Sequence, residues 1–309
     1  MLDGWFEGEL VGSGTVIWKS RRRLAAGEIT EEQFINAAAA SAPSIGHCNT
    51  MGTASTMNAV AETLGLSLPG CSAIPAAYRE RPQMAYETGK RIVEMAYEDL
   101  RPSKILTREA FLDAIALIAL IGGSTNAQPH ITAMARHAGV EITARDWVDH
   151  GYALPLILNM QPAGQYLGER FHRAGGVPAI LWELEKAGKM HSDRINVSGK
   201  KFTETLKDRQ SPDREMIYPF DQPLQENAGF VVLSGNLFDF AIMKTSVISD
   251  EFRTRYMKTP GDEDSFEGIA DVFDSAEDYH ANINDPSLDI TEKSILVIRG
   301  AGAVSWPGA

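Results

Sequence analysis

Thr107-Arg-Glu-Ala110-Phe-Leu-Asp-Ala-Ile-Ala-Leu-Ile-Ala-Leu120-Ile-Gly122-Gly-Ser-Thr-Asn126 is the stretch from which the fold is read most directly. Thr107 can cap a helix over residues 110–120. That helix is apolar nearly all round, the pattern of a helix enclosed by other elements rather than lying on a surface. Its longest apolar run, residues 114–121, is too short to span a bilayer, which takes about 20 residues. Gly122-Gly-Ser-Thr-Asn126 interrupts the helix, and a further one is expected over residues 127–137.

On the N-terminal side, Thr30-Glu-Glu-Gln33 reads as a capping box ahead of Phe34 and an alanine-rich run that ends at Pro43. Residues 53–64 have helical composition, with Gly65 as a stop. Pro82 suits the first position of a helix running to about Asp99. On the C-terminal side, Pro155-Leu-Ile-Leu-Asn159 reads as a short buried strand and residues 178–186 as a helix. Short strands among helices indicate an α/β layer. The texture changes after about residue 190. A polar stretch over residues 192–219 precedes four short strands, at 230–233, 241–244, 268–273 and 295–298. Several short strands with few helices suggest a β-barrel or sandwich, and the expected organisation is an α/β domain over residues 1–215, helix-rich around a parallel sheet, then a β-barrel domain over residues 216–309. Loop chemistry at the start and a strand leading into Gly300-Ala-Gly302 at the end make both ends abrupt. The chain therefore reads as an internal fragment, the first domain lacking its N-terminal part and the second its C-terminal part.

With 309 residues, 44% hydrophobic and 23% charged, the composition is that of a globular protein. A formal charge of -12 argues against a nucleic-acid partner, which needs a basic stripe to neutralise phosphates. No apolar leader is visible at the N-terminus, and no membrane partner is expected. Two cysteines do not make a disulfide framework, so a reducing cytoplasm is the natural location.

Chemistry concentrates in Pro43-Ser-Ile-Gly-His47-Cys48-Asn49-Thr50-Met51-Gly52-Thr53. Cys48 sits in a polar loop just before a helix, where free amides favour a thiolate. On this reading it is a metal ligand, a nucleophile or an inert packed thiol. His47 beside it suggests a Cys–His pair, although neighbours in a loop often point apart. Ser124, Thr125 and Asn126 offer hydroxyls and an amide at a helix start, suited to a carboxylate or polyol or simply to capping. His130 reads as a core or interface histidine, and Lys244 as a surface lysine that could face an anion.

The stretch around Cys48 resembles the third-cysteine motif of the dihydroxy-acid dehydratase and phosphogluconate dehydratase family. Other motifs follow in collinear order: Leu66-Ser-Leu-Pro-Gly70, Gly122-Gly-Ser-Thr-Asn126 with His130, Asn159-Met-Gln-Pro-Ala-Gly164-Gln-Tyr-Leu and Phe171-His-Arg-Ala-Gly-Gly176-Val-Pro. Gly235-Asn-Leu237, Lys244, Val272-Phe-Asp-Ser275 with Glu277, Val297-Ile-Arg-Gly300 and Trp306-Pro-Gly308 complete the set. Gly46-His47-Cys48-Asn49-Thr50-Met51, Asn159-Met-Gln-Pro and Leu237-Phe-Asp-Phe240 are similar to the family's sugar-acid branch, nearest to enzymes acting on L-arabinonate. The branch of branched-chain amino-acid synthesis is the alternative.

The resemblance implies a hydro-lyase that takes water from a 2,3-dihydroxy acid to give a 2-keto-3-deoxy acid. It implies an iron–sulfur cluster as Lewis acid, [2Fe–2S] with [4Fe–4S] as the alternative, and Mg²⁺ at the carboxylate end. Cys48 would be the cluster ligand that this chain supplies, with His47, Thr50, Ser124, Thr125 and Asn126 as substrate-binding candidates. Cys71 matches no family ligand and reads as a packed thiol. The serine base is expected beyond Ala309, so the chain should not catalyse the reaction alone and could serve only as a scaffold or oligomerisation piece. The full-length enzyme is expected to be a homodimer or homotetramer with a small-molecule sugar-acid substrate.

Overall fold

The computed structural model describes residues 1–236, 239–256 and 266–301. It divides into two compact units, Met1–Val247 and Ile248–Ala309. The first unit opens with an antiparallel hairpin, β1 (Gly4–Phe6) and β2 (Glu9–Val11), and continues through α1 (Val16–Ala25), α2 (Glu31–Ala40), α3 (Thr53–Thr63) and α4 (Glu80–Tyr97). There follow α5 (Pro102–Ile105), α6 (Arg108–Ile121), α7 (Ala127–His137), α8 (Ala144–Trp147) and a π-helical turn at Val148–Tyr152. The unit ends with α9 (Gly168–Arg173), α10 (Gly176–Lys186), α11 (Phe202–Thr205) and the antiparallel pair β3 (Phe230–Leu233) and β4 (Ala241–Lys244).

The core of this unit is built around α6, buried at every position from Ala110 to Ile121, as an all-round apolar helix requires. The π-helical turn, α3, α10 and α7 pack on it. Thr107 takes the N-cap position of α6, but its hydroxyl makes no cap bond. Gly122 ends the helix at φ 57°, a left-handed conformation that a side chain resists. Asp113 is the polar exception inside the helix. It is 1% exposed and takes 2.8 Å hydrogen bonds from Arg194 Nε and His191 Nδ1.

The Thr30 capping box is present, with Gln33 N donating to Thr30 Oγ1 at 3.2 Å and Thr30 N to Gln33 Oε1 at 2.9 Å. Helix α4 starts at Glu80, two residues ahead of Pro82. A first turn tolerates proline there because its amides have no partner within the helix. Residues 155–159 do not form a ladder strand. Their backbone bonds go to three different places: Ile157 N donates to Leu120 O, Leu156 N to Gln225 O and Asn159 N to Met216 O. Leu156, Ile157 and Leu158 are nevertheless fully buried.

Units divide by contact after Val247 because β3 packs into the helical core, where Phe230 stacks on Trp147 at 5.6 Å. The second unit holds α12 (Asp250–Tyr256), β5 (Ile269–Phe273), α13 (Ala276–Asn282) and β6 (Ser294–Ile298). β5 and β6 are parallel, in register from Ile269↔Ser294 to Phe273↔Ile298, with α13 in the crossover. Ser275 caps α13 by accepting from Asp278 N at 3.0 Å. The sheets of the described residues are two-stranded, and none closes into a barrel. The motif residues Leu237, Gly302 and Trp306 to Gly308 lie outside the described residues. Among the described residues no helix is long and apolar enough to cross a membrane.

Candidate active site

Cys48 lies on the loop between α2 and α3, exposed, at the edge of a cavity of about 210 Å³. The loop is held from below by the first turn of α3. Ser55 Oγ donates to Thr50 O at 2.8 Å and to Cys48 O at 3.3 Å. Gly168 N, at the start of α9, donates to Asn49 O at 2.8 Å. Residues 72–76 form a wall of the same cavity, which Met51, Ala59 and Phe171 also line.

That wall is anchored by a residue the sequence analysis passed over. Glu62 is buried in α3 and accepts from Gly70 N at 2.5 Å, Ser72 N at 2.9 Å and Ser72 Oγ at 2.5 Å. Burial raises its pKa above the ordinary glutamate value, against the pull of those three donors. A carboxylate seven residues before a Pro-Gly turn carries no local signal for this role, because the contact closes only once helix and turn are packed.

The candidates separate on inspection. His47 lines the cavity with Cys48, but its Nδ1 is 2.8 Å from the Cys48 carbonyl oxygen, and 3.3 Å from Ser55 Oγ. A carbonyl accepts only, so Nδ1 carries the proton and turns to the backbone rather than to the thiol. Although the residue as a whole is exposed, desolvation by its packed surroundings is the main cause lowering its pKa, with the bond to the Cys48 carbonyl opposing it. Asn49 is 1% exposed and structural: its amide donates to Leu2 O and Ser41 O, and its oxygen accepts from Ser13 N at 2.9 Å. Thr50 is buried beneath the Gly12–Gly14 loop, so close that a Cβ on Gly12 would stand 2.5 Å from its Cγ2.

Ser124 and Asn126 gather on another side of the same α3 turn. Ser124 Oγ is 3.1 Å from Thr53 Oγ1, Asn126 Nδ2 donates to Thr53 Oγ1 at 2.9 Å, and Ser124 N donates to Thr56 Oγ1 at 3.0 Å. Asn126 occupies the N-cap position of α7 without a side-chain cap bond, because its amide is used across to α3. Thr125 takes part through its carbonyl, which accepts from Gln128 N at 3.2 Å. None of these three lines the cavity. His130 is exposed on α7. Lys244 is not a surface lysine: it is largely buried, donates to Gly122 O at 2.6 Å, and burial lowers its pKa to about 8. Cys71 is half-buried, accepts from Arg81 Nη1 at 3.5 Å, and burial pushes its thiol pKa up.

Donor chemistry decides whether these residues fit the implied metal groups. An exposed thiol on a cavity that, among the described residues, no carboxylate lines suits one iron–sulfur ligand. Among the described residues no group of three His, Cys, Asp or Glu side chains could hold a metal ion. The described residues thus bring one candidate ligand, Cys48, to the cavity and no group of three.

Comparison with known proteins agrees along the whole length. Residues 4–205 match the N-terminal domain model of the dihydroxy-acid/6-phosphogluconate dehydratases, and residues 215–309 match the C-terminal one. D-xylonate dehydratase of Caulobacter vibrioides is 69% identical over 309 residues, covering 100% of this chain and 52% of the relative. L-arabinonate dehydratase of Rhizobium leguminosarum bv. trifolii is 43% identical with the same coverage, and a dihydroxy-acid dehydratase of Pyrococcus abyssi 38% identical over 100% of this chain and 53% of the relative. The chain spans about half the length of the curated relatives it matches. With both models matched in order and together covering nearly all of it, this chain belongs to the dihydroxy-acid/6-phosphogluconate dehydratase family.

Proposed function

We propose that the full-length protein is an iron–sulfur sugar-acid dehydratase acting on D-xylonate, and that this chain contributes the cluster ligand Cys48. The observation that carries the reading is the 69% identity to a D-xylonate dehydratase over every residue of the chain. It moves the expected substrate from L-arabinonate, whose named relative shares 43%, to D-xylonate. When bound, a [2Fe–2S] cluster with Mg²⁺ would supply Lewis-acid activation of a hydroxyl and of the carboxylate. The chain's own part is to present the Cys48 thiolate at the cavity edge and to hold that loop rigid through Ser55 and Asn49. On this reading His47, which lines the same cavity, bounds the substrate's approach. The α/β domain around a parallel sheet over residues 1–215, the β-barrel over 216–309, a homodimer or homotetramer and a cytoplasmic location belong to the same proposal.

Steady-state assay of the purified full-length protein tests it. D-xylonate should be converted to its 2-keto-3-deoxy acid faster than L-arabinonate and far faster than 2,3-dihydroxyisovalerate. Preference for the branched-chain substrate would remove the sugar-acid reading. A second reading concerns the 309 residues taken alone: a folded scaffold piece without activity, favoured by the absence of any three-ligand metal group among the described residues.

A further inference from the structure

We infer that Arg81 makes the Cys48 cavity an anion site, its guanidinium serving as counter-charge to an anionic group seated beside the thiol. Arg81 stands in the first turn of α4 and lines the same cavity as His47 and Cys48. Its guanidinium donates from Nη1 to Cys71 Sγ and from Nη2 to the Ile74 carbonyl. Both acceptors are uncharged, since burial keeps Cys71 a thiol. These two bonds fasten Arg81 to the cavity wall without neutralising it.

Among the described residues, no aspartate or glutamate lines the cavity. Two carboxylates on neighbouring segments are engaged elsewhere. Glu169 accepts from Tyr78 and Arg173, each at 2.5 Å, and from Asp3 N at 3.2 Å, while Asp3 accepts from Glu169 N at 3.0 Å. The Met1 amino group is spent on the His47 carbonyl at 2.9 Å. What remains is a fixed positive charge in a cavity that Met51, Ala59 and Phe171 also line. A partly buried guanidinium whose described bonds go to uncharged acceptors attracts an anion more strongly than one fully in water. Its fork of donors suits a carboxylate.

Two anions have this chemistry: the carboxylate of a sugar acid, and the thiolate-bound cluster, whose charge an adjacent cation would offset. The inference rests on the dehydratase reading for the identity of the anion. In the first arm, the 309-residue chain is titrated calorimetrically with sodium D-xylonate and with xylitol, its uncharged relative. If the carboxylate is the anion, D-xylonate binds and xylitol does not. Arg81→Met then weakens binding about tenfold, as loss of a charged hydrogen bond should, and Arg81→Lys retains most of it.

In the second arm, cluster-loaded full-length protein is poised in a redox titration. If the cluster is the anion, Arg81→Met makes the midpoint potential more negative, and Arg81→Lys leaves it near wild type. Arg81→Gln, which keeps a donor for the Ile74 carbonyl without charge, must behave as Arg81→Met in whichever arm responds; this separates charge from wall packing and serves where the methionine variant fails to fold. Flat results in both arms, or xylitol binding as well as D-xylonate, would overturn the inference. Arg81-dependent D-xylonate binding in a full-length protein that dehydrates no sugar acid would instead sink the dehydratase reading and leave the anion site standing.

Discussion

Cys48 is exposed, so its side chain adds little to the packing of the core. Cys48→Ser should therefore change the unfolding free energy of the chain by less than about 0.5 kcal/mol. In the full-length protein the same substitution should abolish the visible iron–sulfur absorption. A large fall in the urea midpoint would place the thiol in the packing instead. Asp113 is the opposite case. It sits inside the most buried helix and neutralises Arg194, whose side chain is 6% exposed. Asp113→Asn leaves that guanidinium uncompensated and should cost about 3–5 kcal/mol by urea titration. A loss below about 1 kcal/mol would mean that solvent reaches the pair.

At the scale of elements, β4 meets the C-terminus of α6 through Lys244 and the Gly122 carbonyl. An ammonium suits the negative end of a helix, yet burial lowers this lysine from 10.5 to about 8. The folded state then binds fewer protons than the unfolded state between about pH 8 and 10.5, so this group makes stability rise with pH across that window. The rise should approach about 3 kcal/mol, from a shift of 10.5 − 8 at 1.36 kcal/mol per unit. Urea midpoints compared between pH 7.5 and 10 should show it in wild type and lose it in Lys244→Met. An equal rise in the variant would assign the effect to other groups. At the N-terminus of α2, Thr30→Ala removes a two-way capping box and should cost about 1 kcal/mol, read from the same titration.

Over the whole molecule, the described residues bring together one candidate cluster ligand and no three-ligand metal group. The 309-residue chain, purified alone after anaerobic reconstitution, should hold less than stoichiometric iron, measured by chelation assay and absorption. Stoichiometric cluster would show that Cys48 and Cys71 with other donors suffice. The full-length protein treated with EDTA should lose activity and regain it on addition of Mg²⁺.

What could be read without a structure was local. The apolar run of α6, the glycine that ends it, the Thr30 box and a cysteine in a loop before a helix all depend on spacings of a few residues. Helix α13 was equally legible, since Ser275-Ala-Glu-Asp278 is a cap with an acid at its third helical position, but the strands on either side drew the reading. The family followed from ordered motifs. What tertiary structure decided was the direction of side chains. His47 turns to a carbonyl and not to the thiol, Asn49 and Thr50 serve the packing of the β1–β2 region, and residues 155–159 share their amides among three segments. Glu62 and Arg81 took up their contacts only when α3 and α4 packed against the turn between them, and Lys244 only when β4 met the end of α6, 122 residues away in sequence. Short-range spacing writes helices and caps into a sequence; the charge and burial of a side chain belong to neighbours that only folding supplies.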